Sequence, residues 1–123
     1  YTILSLDNPA NASSTVTKVE LWAQDAITGC KAGAFYLVSG TTYRCRGVAN
    51  IGSVTAGSKQ TFTVSLSIGS GDLIGLYFAT GLIEADPTGG LGVYYISGDK
   101  CVVDNESIYT LAADDVFSCY GSN

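Results

Sequence analysis

The strongest constraint on this chain is its punctuation. Short apolar or alternating runs are cut roughly every eight to twelve residues by clusters of Gly, Ser, Asn and Asp. None keeps the three-to-four-residue spacing of an amphipathic helix. The runs span 1–6, 16–23, 32–38, 43–51, 59–66, 73–79, 81–85, 92–96, 107–111 and 116–120. In a strand, successive side chains point to opposite faces, so Thr17, Val19, Leu21 and Ala23 are expected inward and Val16, Lys18, Glu20 and Trp22 outward. Clean alternation makes Phe62, Val64 and Leu66 core positions. Phe35, Ile74, Leu76, Phe78 and Val93 complete the expected core with Leu21.

Turn chemistry agrees. Ser39-Gly40-Thr41-Thr42 reads as a tight hairpin, since Gly at the first central position accepts the positive φ that matches strand twist. That register sets Cys45 opposite Tyr36. Gly69-Ser70-Gly71-Asp72 separates two more apolar strands. Short strands at this spacing predict an all-β chain, residues 1–123 forming a single two-sheet antiparallel β-sandwich of about eight to ten strands, a jelly roll by preference. The length of 123 residues leaves room for one core.

Four cysteines, Cys30, Cys45, Cys101 and Cys119, lack the C-x-x-C spacing of zinc or redox sites and are expected as two disulfides. Buried thiols are the alternative. Of three pairings, Cys30–Cys45 with Cys101–Cys119 is the sequence choice, although the hairpin register opposes it. Fully paired strands would hold Cys30 about 20 Å from Cys45, beyond bridging range. Oxidised cysteines place the chain outside the cytosol, secreted or on a cell or virion surface. A start at Tyr1 rather than Met fits a processed form. Asn11-Ala-Ser13 and Asn105-Glu-Ser107 match the glycan acceptor pattern.

Asn8-Pro9-Ala10-Asn11-Ala12, Val19-Glu20-Leu21-Trp22-Ala23, Gly29-Cys30-Lys31-Ala32-Gly33-Ala34-Phe35-Tyr36, Gly57-Ser58-Lys59-Gln60-Thr61-Phe62, Gly71-Asp72-Leu73-Ile74-Gly75-Leu76-Tyr77-Phe78 and Gly98-Asp99 carry a resemblance. Together they resemble small β-sandwich domains of phage structural proteins and of extracellular proteins of environmental microbes. The resemblance implies a surface role on a virion or cell and supplies no catalytic or ligand residues.

Several chemistries are disfavoured at the outset. A net charge of −5 with six scattered Lys and Arg argues against nucleic acid as a partner, and no apolar run approaches the roughly 20 residues of a membrane span. Without histidine there is no Ser-His-Asp triad and no imidazole metal ligand. A carboxylate pair drawn from Glu20, Glu84, Asp86 and Asp99 would need a deeper cleft than so small a sandwich offers, so no enzyme is expected. Glu84, Asp86, Asp99 and Asp104 are candidate ligands for a structural Ca²⁺, with solvated loop acids the expected state and no cofactor otherwise.

Aromatics are more telling. Trp22, Tyr36, Tyr43, Tyr77, Tyr94 and Tyr95 exceed what a small core needs, adjacent Tyr94 and Tyr95 must point to opposite faces, and all but Tyr77 are the candidate contact platform. Exposed rings suit protein contacts or stacking on a sugar. The expected function is an extracellular structural or adhesive subunit of a virion, appendage or filament, its partners itself or other surface proteins. The alternative is a carbohydrate-binding module with an aromatic platform.

Overall fold

The computed structural model describes residues 1–6, 9–86, 90–113, 115–117 and 119–122. Among them lie strands β1 (Thr2–Ser5), β2 (Ser14–Ser39), β3 (Thr42–Val54), β4 (Lys59–Ile68), β5 (Leu73–Tyr77) and β6 (Thr80–Ile83). There follow β7 (Ala85–Asp86), β8 (Val93–Ile96), β9 (Glu106–Ile108), β10 (Thr110–Ala112), β11 (Val116–Phe117) and β12 (Cys119–Ser122). The described residues contain no helix, hence none long and apolar enough to cross a membrane.

The chain is all-β, and its strand ladders are antiparallel. Ten strands share one sheet in the order β10-β8-β1-β5-β2-β3-β9, with β4, β6 and β12 also bonded to β2, while β7 and β11 pair separately. The jelly-roll expectation is narrower than these ladders show. What distinguishes the architecture is β2, a strand of 26 residues. Sequence patterning ends one strand at Ala23 and begins another at Ala32, whereas the chain stays extended between them. The intervening segment has no proline, and its backbone finds partners: Asp25 pairs with Leu82, Thr28 with Thr80 and Ile27 with Val54. Register shifts around Gly29, at φ 63°, absorb the bending. The first half of β2 thus bonds β4 and β12, the second half β3 and β5, and the sheet nearly closes on itself.

Two apolar clusters result. The first holds Val16, Val19, Leu21, Ala23 and Ile27 from early β2 against Cys30, Ala32, Ala34, Leu76 and Val93. The second lies on the opposite face of the larger layer and contains Leu4, Phe35, Tyr43, Cys45, Leu73, Cys101 and Tyr109. Strand alternation divides the two: Ala34 and Phe35 belong to different clusters, as do Leu76 and Leu73. Leu21, Phe35, Leu66, Ile74, Leu76 and Val93 are buried as expected. Phe62, Val64 and Phe78 are only half-buried, packed on the rim of the first cluster. Strand β4 bonds β2 alone, so its inward side chains are covered from one side.

Two single-residue irregularities correct the sequence register. A shift between Val16 and Lys18 turns Val16 inward, where it is buried beside Leu66. The turn at Gly40 forms, with φ 53° and Ser39 opposite Thr42, but Leu37 then opposes Tyr43 and leaves Val38 as an extra residue. Cys45 consequently faces Phe35 rather than Tyr36. That slip carries Tyr43 and Cys45 together into the second cluster.

Candidate functional site

On the outer face of β12, β2 and β4 the register builds three cross-strand rows. Ser122, Lys18 and Thr63 form one, Tyr120, Glu20 and Thr61 the next, and Trp22 with Lys59 the last. The alternation that buries Val19 and Leu21 leaves Trp22 outward, 42% exposed, and Cys119 inward beside Tyr120, which is 49% exposed. Trp22 and Tyr120 are diagonal neighbours across the ladder, a separation of roughly 7–8 Å. Glu20 stands between them and pairs with Lys59 at 3.5 Å on the surface. The Trp22 carbonyl accepts a hydrogen bond from the Glu84 backbone N–H at 2.8 Å, which anchors the backbone under the ring. Sequence reasoning placed Trp22 here and missed Tyr120. Recognising Cys119 as a core residue would have turned its neighbour outward by alternation.

Beside Tyr120 opens a groove of about 360 Å³ lined in part by Asn11, Ser14, Val16, Ile74 and Ser122. Asn11, one of the two glycan-acceptor candidates, is exposed on this rim. Asn105, the other, is half-buried and its side-chain carbonyl accepts the Ser107 hydroxyl at 2.8 Å.

Other members of the expected platform are dispersed. Tyr43 is buried, with its ring 5.2 Å from Tyr94 and 6.1 Å from Tyr109. Burial, then the neighbouring Tyr94 hydroxyl, raises the Tyr43 pKa. Tyr36 lies under the Arg46 guanidinium at 4.5 Å. Tyr95 is exposed, as expected of one of the adjacent pair, and meets Tyr1 edge-on at 6.2 Å. Further exposed apolar side chains were not foreseen: Leu37, Val38 and Ile108, at 55%, 46% and 72% exposure, surround the β2–β3 turn and edge strand β9, Leu37 and Ile108 on opposite faces by register.

The candidate Ca²⁺ ligands do not converge. Asp99 pairs with Lys31 and accepts the Cys101 N–H at 3.0 Å, while Asp104 lies 3.4 Å from Arg44. Glu84 is exposed on the Trp22 side, and the Asp86 side chain lies outside the described residues. No group of three or more metal-ligating side chains forms among the described residues. The acid sequence reasoning overlooked is Asp72, which is 1% exposed and accepts Arg46 at 2.6 and 3.2 Å and the Gly69 N–H at 2.8 Å.

All four cysteines are buried free thiols. The sequence pairing of Cys30 with Cys45 and Cys101 with Cys119 is overturned by position. Cys30 opposes Gly52 and Cys45 opposes Phe35, far apart along the same ladder, and Cys101 and Cys119 occupy different clusters. No protein-family model, curated protein or solved structure matches the chain. The likeness to phage and extracellular sandwich domains rests on the sequence stretches alone.

Proposed function

We propose that this chain is an extracellular structural or adhesive module that works through protein–protein contacts, as a repeated unit of a surface assembly. The observation that supports this reading best is exposed apolar surface in two separate places, the Trp22 and Tyr120 rings on the β12-β2-β4 face and the Leu37, Val38 and Ile108 side chains around the β2–β3 turn and edge strand β9. Open assembly requires two different complementary surfaces on each subunit, whereas a one-ligand binder needs only one. Trp and Tyr are the residues that most often anchor such contacts, and short β9 offers an unpaired edge where a neighbouring strand can add.

Size-exclusion chromatography with light scattering over a concentration series, followed by electron microscopy, tests the proposal. Wild type should associate, and Trp22→Ala or Ile108→Asp should each raise the dissociation constant tenfold or more. The single tryptophan should shift red on dissociation. A wild-type chain that stays monodisperse and monomeric with invariant emission would overturn it.

The platform and its neighbouring groove favour one second reading, sugar binding. Aromatic rings flanked by Glu20, Lys59, Asn11 and Ser122 suit a carbohydrate, whose faces are apolar and whose edges carry hydroxyls. In that case Tyr120→Ala should leave a folded monomer that no longer binds insoluble polysaccharide.

A further inference from the structure

We infer that the cysteines form two sites of covalent modification, Cys45 with Cys101 and Cys30 with Cys119, which close into disulfides when the folding chain meets a disulfide oxidant of the glutathione class. The pairing follows from how the large layer divides the core. Cys45 and Cys101 are the cysteines of the second cluster, Cys30 and Cys119 those of the first. Backbone contacts bring the first pair together: the Asp104 N–H donates to the Cys45 carbonyl and the Cys45 N–H to the Asn105 carbonyl, both at 2.9 Å. The turn that follows Cys101 is thereby held against Cys45, closed by the Asn105 N–H on the Val102 carbonyl at 3.0 Å. The Tyr109 hydroxyl is buried without a hydrogen-bond partner in the same cluster.

The remaining combination, Cys30 with Cys101, is blocked by β2 itself. Cys101 Sγ lies 4.0 Å from the Lys31 carbonyl on one face, and the Cys30 side chain sits in the cluster on the other. Electrostatics match this division. After burial, the leading influence on the Cys101 thiol is Cys45, with Cys30 the smallest of the neighbours acting on it, and on Cys119 it is Cys30, all of which raise the pKa.

Each bond forms by two exchanges. One thiolate attacks a sulfur of the oxidant and expels a thiolate. Its partner then attacks the mixed disulfide, so two protons and two electrons leave the protein and one oxidant disulfide becomes two thiols. Burial raises Cys30 to about 12 and Cys45 to about 11, so thiolate is scarce once the fold has closed and oxidation belongs to folding.

The test refolds reduced protein in a glutathione redox buffer, alkylates it in denaturant, and maps peptides without reduction. The count of alkylated cysteines should fall from four to zero, with cystine peptides joining 45 to 101 and 30 to 119. Cys45→Ser should still form the 30–119 link and leave Cys101 alkylated. Four alkylated thiols after oxidative refolding, or any other map, would overturn the pairing. Because the peptide map is read on the wild-type chain, it decides the pairing even where a variant fails to fold.

Discussion

Arg46 and Asp72 show what one residue can decide. Asp72 closes the turn that links β4 to β5 by accepting the Gly69 N–H, yet its carboxylate is too buried to be left charged without a cation. Arg46 supplies that charge through two hydrogen bonds while its guanidinium, partly exposed, covers Tyr36. Arg46→Ala should cost about 2 kcal/mol, below the usual penalty for orphaning a buried charge because water still reaches the Arg46 site. Arg46→Lys should recover only part, since an ammonium cannot match both oxygens. Denaturant midpoints at neutral pH would measure both. The turn was legible in Gly69-Ser70-Gly71-Asp72. Its partner was not, because nothing local links residues 26 positions apart.

Strands and turns were legible wherever neighbours alone set them. The boundaries of β1, β3, β4, β5 and β8 follow the alternation to within a few residues. The joins were hidden: β2 runs unbroken because β3 and β6 supply partners for a segment that is polar in sequence. One extra residue on β4 opposite Thr17, and another at Val38 on β2, change the register without any glycine to announce them. Packing across strands was hidden too. Gly33 and Gly75 are paired under the Phe35 ring, and a Cβ on Gly75 would lie 2.5 Å from Leu4 Cδ2 and 2.6 Å from Phe35 Cε1. Both neighbours are fully buried, so neither can yield cheaply. Gly75→Ala should lose about 1–3 kcal/mol by overpacking, more than Gly40→Ala, which meets nothing and costs only its left-handed φ. Thermal midpoints of the two variants check the order.

For the molecule as a whole, the buried thiols carry a pH signature. Reduced, the folded chain holds the protons of Cys30 and Cys45 up to about 12 and 11, against an ordinary value of 9.0 that applies once it unfolds. Raised folded values mean stability fully present below pH 9.0 and lost as pH rises toward 11 and 12. Reduced protein should therefore weaken through that window in denaturant titrations. Material oxidised at all four positions should lose less over this window, the raised Tyr43 and Tyr109 phenols accounting for what remains. The candidate site was half legible: alternation exposes Trp22, while Tyr120 joins it only through the ladder between β12 and β2.

One strand serves both layers of this molecule, and that governs how it can form. Neither layer is a folding unit, since each is missing a ladder until β2 has been laid down along its whole length. Its partners β3, β4, β5 and β6 follow it directly in the chain, whereas β12, which pairs its early half, comes only at Cys119–Ser122. Until β12 is made, one edge of the early half of β2 therefore stays open, the state most exposed to mispairing with another copy. Lys18, Glu20, Gln24, Asp25 and Lys31, spaced along β2, place charged or polar side chains where a second strand would otherwise dock.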